Sequence, residues 1–378
     1  SKWRWKAAWV DMSILQEPRW LSEIKANASD KFVSMQLPQE REENWRYTDL
    51  KQLGIDNSSF NADESEISFS NSIDGVIFTN LLDAMKSHSD LVKNYLGKLI
   101  LPTDKISAFH YSNLMDGVFV YVPDGKKAAL SNKITGSSHT IIITGRNSEL
   151  DYQELHNGSG FATNGVEIFA GENSKINFLS VQKCGEQAKM FSFKDAKLSR
   201  NSKLNIFLSS TGASLHRSDM NIFLEGEGAM SETLYGVKLK NSQHNDLMIK
   251  CHHKVPKTWS NVVARTTVDD KASSVFRGII KIDKGAQQTD SFLEDHALLL
   301  SDEAVANNIP SLEIDANDVK AKHGATIGQI DEEQLFYLMS RGLSRQQGEE
   351  LIVSGFFEPL TTKIKNPELQ ENFRKAFD

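Results

Sequence analysis

Asn173-Ser174-Lys175-Ile176-Asn177-Phe178-Leu179-Ser180 has a near copy 28 residues later, Asn201-Ser202-Lys203-Leu204-Asn205-Ile206-Phe207-Leu208. Each copy places a polar turn before a short apolar run, and 228–234 and 285–290 follow the same order. Repeats of about 20–50 residues are typical of solenoids and propellers, in which each coil of short strands buries its apolar side chains against the next coil. The alternative that the pattern leaves open is an ordinary β-sandwich with similar turns.

The apolar pattern divides the chain into three regions. Residues 1–105 are predicted to be helical, with helices near Trp20–Ala26 and Asn80–Leu96. Residues 106–328 contain short β-type runs broken by Gly, Asn, Asp and Ser, with no long helical pattern between them. Residues 329–378 return to helix. The sequence therefore predicts a mainly β core between a helical N-terminal region and a small C-terminal helical domain.

Capping signals define three helices in the C-terminal region. Asp331 is predicted to be the N-cap of the first helix, and Ser344 with Gln347 forms a capping box for the second. Gly355 is predicted to end that second helix, and Pro367 to open the third. Short helices joined by tight turns favour an exposed interaction face.

Charge and composition exclude several classes of protein. The 378 residues carry a net charge of −7, which argues against nucleic acid or an anionic membrane as the main partner. No apolar run approaches the ~20 residues needed to span a bilayer. Ser1–Trp9 is basic and aromatic, but Asp11 precedes any apolar segment, so no signal peptide is expected and Met12 is a candidate start. Two distant cysteines, Cys184 and Cys251, fit a reducing cytosol, and a cytoplasmic protein is predicted.

Most enzyme motifs are absent, and two segments remain chemically interesting. No P-loop, H-E-x-x-H, C-x-x-C or G-x-S-x-G pattern occurs. Cys251 and His253 would share one face of a strand, and a thiolate with an imidazole suits a soft or borderline metal. The alternative is a buried cysteine beside a surface histidine. His323, followed by Gly324-Ala325-Thr326, is open to a ligand or a second chain, and the alternative there is an ordinary surface histidine.

A set of ordered motifs spans about three quarters of the chain. They are Glu43–Leu50 (which contains Trp45-Arg46-Tyr47-Thr48), Ala286–Thr289, Ala297–Ala304, Pro310–Ile314, Asp318–Lys320, His323–Ile330, Leu335–Leu338 and Ser340–Gly342. Together these motifs resemble the SufB/SufD family of iron–sulfur cluster assembly scaffolds.

The form of the histidine motif resembles the SufD branch of this family. SufB-type chains have a glutamate at the position of Gly324 and a cysteine at the position of Asp295, whereas Thr326 fits both branches. Close SufD relatives usually have a cysteine at the position of Ala321, so the resemblance leaves His323 as a lone candidate ligand.

The resemblance implies a fold, partners and sites. The fold would be a right-handed parallel β-helix, and the chain would be a non-catalytic scaffold that assembles with a SufB-type chain and a SufC-type ATPase. It would aid iron acquisition and hold iron or a nascent cluster transiently at the SufB interface. The resemblance gives His323 as a candidate metal residue, beside Cys251 and His253 from the strand pattern. It also gives the C-terminal helices as the ATPase contact, with Phe336, Tyr337, Arg341 and Phe356 as candidates.

Three alternatives to this expectation remain open. The chain could be a purely structural partner without metal chemistry, in which His323 only makes a hydrogen bond. It could form a homodimer when the SufB-type chain is absent. It could instead be a β-helix enzyme acting on polysaccharide, which needs paired carboxylates such as Asp269-Asp270 or Glu294-Asp295.

Overall fold

The computed structural model describes residues 17–61, 65–70, 72–114 and 116–377. The expectations for Ser1–Trp9, Asp11 and Met12 lie outside these residues. The described helices are α1 (Arg19–Ser34), α2 (Leu81–Ser87), α3 (Ser89–Tyr95), α4 (Lys105–Ser112), α5 (Glu332–Ser340), α6 (Arg345–Thr361) and α7 (Pro367–Arg374), with a 3-10 turn at Glu43–Trp45. Within the described ranges, no helix combines the length and apolar character needed to cross a membrane.

The described strands follow one another closely along the middle of the chain. They are β1 (Glu66–Phe69), β2 (Ile77–Asn80), β3 (Gly117–Val122), β4 (Lys127–Thr135), β5 (Ser138–Thr144), β6 (Glu149–Asn157), β7 (Phe161–Ala170), β8 (Lys175–Gln182), β9 (Lys189–Leu198), β10 (Lys203–Thr211), β11 (Leu215–Leu224), β12 (Met230–Leu239), β13 (His244–His253), β14 (Trp259–Val268), β15 (Ser273–Ile282), β16 (Thr289–Leu299), β17 (Val305–Ile314) and β18 (Val319–Gln329).

These strands form a β-helix with two sheets. Sheet A has the order β1-β4-β6-β8-β10-β12-β14-β16-β18, and sheet B has the order β17-β15-β13-β11-β9-β7-β5-β3-β2. From β3 to β18 every pairing is parallel, and consecutive strands alternate between the sheets. The prediction of a mainly β fold with a parallel β-helix between helical regions is confirmed.

The 28-residue repeat corresponds to one coil. Strand β10 pairs with β8 so that Asn205 lies beside Asn177, and its side-chain amide donates to the Asn177 amide oxygen at 2.6 Å. In the turns that precede β10 and β8, Asn201 and Asn173 both adopt positive φ, 53° and 56°, a conformation that asparagine tolerates better than most residues. The inward side chains of the coils form one continuous apolar core. Stacking of identical turns therefore explains the repeat.

The N-terminal region contains strands as well as helices, which the helical prediction missed. β1 pairs antiparallel with β4, and β2 pairs antiparallel with β3. These two strands occupy the sheet edges at the first coil and cover backbone groups that would otherwise be unpaired. Their short length and mixed burial explain why no strand pattern was recognised.

Helices α6 and α7 pack on the outer face of sheet A. Phe357 and Leu360 are buried there with Phe373 and Phe377, against Leu234 and other residues of sheet A. The predicted end of α6 at Gly355 is wrong, because the helix continues to Thr361. Burial of Phe357 and Leu360 stabilises this extension by more than the ~1 kcal/mol that a helical glycine costs. The predicted N-caps Asp331 and Ser344 are confirmed.

The two ends of the β-helix differ. At the last coil, β17 and β18 each pair with a strand on one side only among the described residues. The side chains of Val305 and Ile327 are each 48% exposed near these free edges. We call this the open end, formed by β17 (Val305–Ile314) and β18 (Val319–Gln329).

Candidate functional site

His323 lies on the last strand of sheet A, at the open end. The register pairs it with Leu293 of β16, whose side chain is buried in the core, so His323 belongs to the inward face of β18. Its imidazole is nevertheless exposed, because no described coil lies beyond β18. His323 therefore faces the space that a further layer of protein would occupy.

Gly324 and Thr326 lie on the opposite face of the same strand. Thr326 pairs in register with His296, and its hydroxyl lies 2.7 Å from Nδ1 of that ring. An added Cβ at Gly324 would meet no atom within 4 Å. Gly324 and Thr326 therefore lie on the outer face of β18, whereas His323 lies on its inward face.

Asp295 shares the inward face with His323. It lies two residues after Leu293 on β16 and pairs with Ala325, so it is a diagonal neighbour of His323 across adjacent strands. The residue is only 1% exposed, and neither carboxylate oxygen has a side-chain hydrogen-bond partner in the described part of the chain. Burial raises the pKa of Asp295 to about 8, and the backbone N–H of His296 offsets this only partly.

Sheet B, which faces sheet A across the core, contributes a third polar group at the open end. An added Cβ at Gly278 would overlap the Leu293 side chain, so Gly278 of β15 lies directly across the core from Leu293. The register then places Phe276 across from Asp295, and Asn308 beside Phe276 on β17. The Asn308 side-chain nitrogen is buried and has no described partner. The open end therefore combines an imidazole, a carboxylate and an amide on converging faces.

Only part of this group was predicted from the sequence. His323 was predicted as a ligand, whereas Asp295 was identified as a position without the SufB-type cysteine and as half of an acidic doublet. Glu294 and Asp295 lie on opposite faces of β16, so they do not form a pair of facing carboxylates. The alternation of Leu293, Asp295 and Ala297 already indicated an inward aspartate. Asn308 carried no recognisable signal.

Cys251 and His253 share the inward face of β13 but lie deep in the β-helix. They are 1% and 0% exposed. Both ring nitrogens of His253 are engaged, with Thr258 at 2.8 Å and Ser260 at 2.9 Å. Burial raises the pKa of the Cys251 thiol to about 12 and lowers that of His253 to about 3. A metal at this pair would have to displace these hydrogen bonds, and the structure does not bring the pair to the open end.

The segment with the motif Trp45-Arg46-Tyr47-Thr48 docks on the outer face of sheet B. The Thr48 hydroxyl donates to Asp246, and Trp45 is buried beneath the Arg217 guanidinium, 3.8 Å from its ring centre. Tyr47 is 42% exposed and adopts φ 69°. The contacts of Trp45 and Thr48 attach the N-terminal region to the β-helix, which explains these two residues of the motif.

A buried charge network holds this docked segment. The Asp246 carboxylate accepts from Arg217 at 2.6 Å and from Arg277, and Arg277 also donates to the carbonyl of Arg46. The side chain of Asp246 is fully buried, and the two arginine side chains are 3% and 6% exposed. Asp219 also pairs with Arg217, at 3.1 Å. Two carboxylates, of which Asp246 is shared by both arginines, therefore neutralise the buried guanidinium groups and fix the motif.

The predicted ATPase contacts lie in two environments. Phe336 and Tyr337 of α5 are 72% and 56% exposed, and Arg341 lies over the Tyr337 ring at 5.1 Å. Phe356 of α6 is half-buried, and its carbonyl accepts from Arg265 of sheet A at 2.7 Å. The exposed residues Met339 and Leu351 extend the apolar surface, and sequence reasoning did not name them. We call Phe336, Tyr337, Met339 and Leu351 the α5–α6 patch.

Comparison with known proteins places the chain in a family. Residues 128–356 match the model described as "SUF system FeS cluster assembly, SufBD core domain", and residues 55–131 match "SufBD protein N-terminal region". The chain therefore belongs to the SufBD family of iron–sulfur cluster assembly proteins. It is 26% identical to the iron–sulfur cluster assembly protein SufD of Bacillus subtilis, across 92% of this chain and 91% of the relative. It is 27% identical to SufB of the same organism, across 80% of this chain and 69% of the relative.

Proposed function

We propose that the chain is a SufD-like scaffold subunit that binds a SufB-type chain through its open end. The observation that carries the proposal is the asymmetry of the β-helix. Antiparallel strands cover the sheet edges of the first coil, whereas the edges of β17 and β18 are free and expose apolar side chains. Free strand edges beside apolar groups favour pairing with another chain. A second copy of this chain would occupy the same edges when the SufB-type chain is absent.

In this proposal iron or a nascent cluster is cargo, and His323 binds it at the interface between the two chains. A neutral imidazole is a common donor to iron. The chain lacks the thiolate and the glutamate expected of the SufB branch, since it has Asp295 and Gly324 there. The SufB-type partner would therefore supply the sulfur ligands. Both cysteines of this chain are buried free thiols, which fits a reducing cytosol.

His323→Ala is expected to leave the complex intact and to lower the cluster yield at least about tenfold, the scale of losing one metal-site residue. The residue is exposed, so its removal should not disturb folding. The measurement is cluster absorbance after anaerobic reconstitution of the purified complex, with His88→Ala as the control because His88 is also exposed. A normal yield from the His323 variant would favour the purely structural alternative.

The same proposal assigns the α5–α6 patch to a SufC-type ATPase. Deleting residues 331–378 would be a poor test, because it would uncover Leu234 and the other residues of sheet A that α6 and α7 bury. Point variants on the exposed face avoid this problem.

Phe336→Ser combined with Tyr337→Ser is expected to abolish capture of the ATPase and to preserve capture of the SufB-type chain. Exposed aromatic residues are frequent hot spots, each contributing about 2 kcal/mol or more to binding. The measurement is a three-component pull-down, with Val33→Ser as the control because Val33 is 77% exposed on α1. Retention of the ATPase by the double variant would show that its contact lies elsewhere.

A further inference from the structure

A hollow lies on the outer face of sheet A, between the end of α7 and strands β1 and β4. Its volume is about 420 Å³, within the range of small-molecule pockets, and its surface is mostly apolar. We call it the α7 trough, and its lining includes Leu155, Leu179, Val181, Lys133, Lys183 and Lys375. We propose that the α7 trough binds a small amphipathic carboxylate, with the apolar chain on the sheet and the carboxylate at the lysines. This inference goes beyond the scaffold role and does not depend on it.

The floor of the α7 trough continues the apolar face that α6 and α7 cover. Leu179 and Val181 of β8 belong to the cluster that packs under these helices, and Leu155 of β6 is half-buried at its margin. Ala376, just past the end of α7, lines one side of the hollow, and the short side chain of Ser131 on β4 lines the other. An alkyl chain in this space would bury apolar surface against the leucines and the valine.

Lysine side chains surround this floor. Lys133 is in register with Leu155 on the next strand, and both lie on the outer face of sheet A. Lys183 follows β8, and its ammonium donates to the carbonyl of Lys375 at 2.6 Å, which holds it at the end of α7. The ammonium of Lys375 already pairs with Glu371 at 3.3 Å. A ligand carboxylate would therefore be bound by Lys133 and Lys183, which lie on either side of Leu155 with backbones about 10 Å apart, two strand spacings.

The charge of the α7 trough favours an anion. Its described lining has one acidic residue, Glu154, which is 1% exposed and whose carboxylate lies 2.8 Å from His156 inside the β-helix. The trough is therefore locally positive in a chain whose net charge is −7. Ammonium groups beside apolar surface attract a carboxylate more strongly than they would in open water, because the local dielectric is lower.

The strand pairing favours a small molecule over an extended peptide. Strands β4, β6 and β8, which form the floor, are each paired on both sides. A peptide strand would therefore find no free backbone groups there, whereas a peptide that binds to a sheet in extended form normally pairs with an open edge. Side-chain contacts alone remain, and a short alkyl carboxylate can make all of them.

The experiment is isothermal titration of the purified full chain with octanoate, and with octylamine as a probe of equal chain length and opposite charge. We expect one octanoate site per chain, with octylamine at least about tenfold weaker. Lys133→Gln combined with Lys183→Gln should weaken octanoate binding by about tenfold or more, the scale of losing hydrogen bonds to a charged group. Ser131→Phe should abolish binding by filling the trough while both lysines remain. Lys127→Gln is the matched control, because Lys127 is exposed on the same face of β4 but outside the trough.

Several results would overturn the inference. They are octanoate binding that is absent, that is no tighter than octylamine binding, or that is unchanged in the lysine double variant. If the wild type does not bind octanoate and the double variant loses a partner in the three-component pull-down, the trough is a protein interface and not a ligand site. Equal Tm values of all variants without octanoate would exclude unfolding as the cause of lost binding. If octanoate binds as expected but no complex forms, the scaffold proposal fails alone.

Discussion

Asp246→Ala is expected to lower the free energy of unfolding by about 3–5 kcal/mol, the range for breaking a buried ion pair by removing one partner. The variant removes the carboxylate that pairs with the buried Arg277 and leaves Arg217 with Asp219 alone. It also removes the acceptor for the Thr48 hydroxyl. The N-terminal segment around Trp45 should therefore detach from sheet B, and its backbone amides should lose protection.

The measurement is equilibrium urea unfolding, followed by hydrogen exchange of residues 43–55. Asp315→Ala is the control, because Asp315 is an exposed aspartate in the turn between β17 and β18 and should change stability by less than about 0.5 kcal/mol. If both variants unfold alike, the network around Asp246 does not hold the segment.

The parts of the fold predicted from sequence depend on residues close together in the chain. The repeat at 173 and 201 favoured stacked coils over the sandwich alternative, because two neighbouring coils have similar turns 28 residues apart. The caps Asp331 and Ser344 predicted the starts of α5 and α6, because a capping side chain bonds to backbone groups two or three residues away. Local signals of this kind are visible in one sequence.

The parts that escaped prediction depend on contacts between distant residues. Thr48 and Asp246 are 198 residues apart, and no local pattern links them. Continuation of α6 past Gly355 follows from burial of its last turns on sheet A, and the sequence of the helix alone does not show that surface. Only part of the candidate site was predicted from the sequence, because His323 belongs to a local motif. Asn308 lies near Asp295 only because sheets A and B face each other across the core, which no local pattern shows.

A second buried network joins the helical N-terminal region to the β-helix, and sequence analysis did not find it. The Glu167 carboxylate on β7 accepts from the backbone N–H groups of Gly97 and Leu99 at 2.6 Å each, and from that of Ile100 at 3.1 Å. It also contacts His139 Nε2 at 3.0 Å. His139 Nδ1 in turn lies 2.9 Å from Nε2 of His110 on α4.

The direction of these hydrogen bonds follows from the carboxylate, which only accepts. His139 therefore donates through Nε2, and in the arrangement without a charged ring its Nδ1 accepts from His110. Burial, and then the neighbouring His139, hold the pKa of His110 well below its usual range. An added Cβ at Gly165 would overlap His139 Nδ1 and lie 2.6 Å from His110 Nε2, so only glycine fits beneath the two rings.

Glu167→Ala is consequently expected to destabilise the chain by about 3 kcal/mol or more, since three backbone donors, one buried and two part-buried, would lose their acceptor at about 1–3 kcal/mol for each donor that water cannot reach. The control is Glu172→Ala, an exposed glutamate just after the same strand, which should change stability by less than about 0.5 kcal/mol. Urea unfolding measures both, and hydrogen exchange of residues 97–100 reports the local release. A Glu167 variant as stable as its control would mean that water or a shifted backbone satisfies these donors, and that α4 is held to the β-helix by its apolar contacts alone.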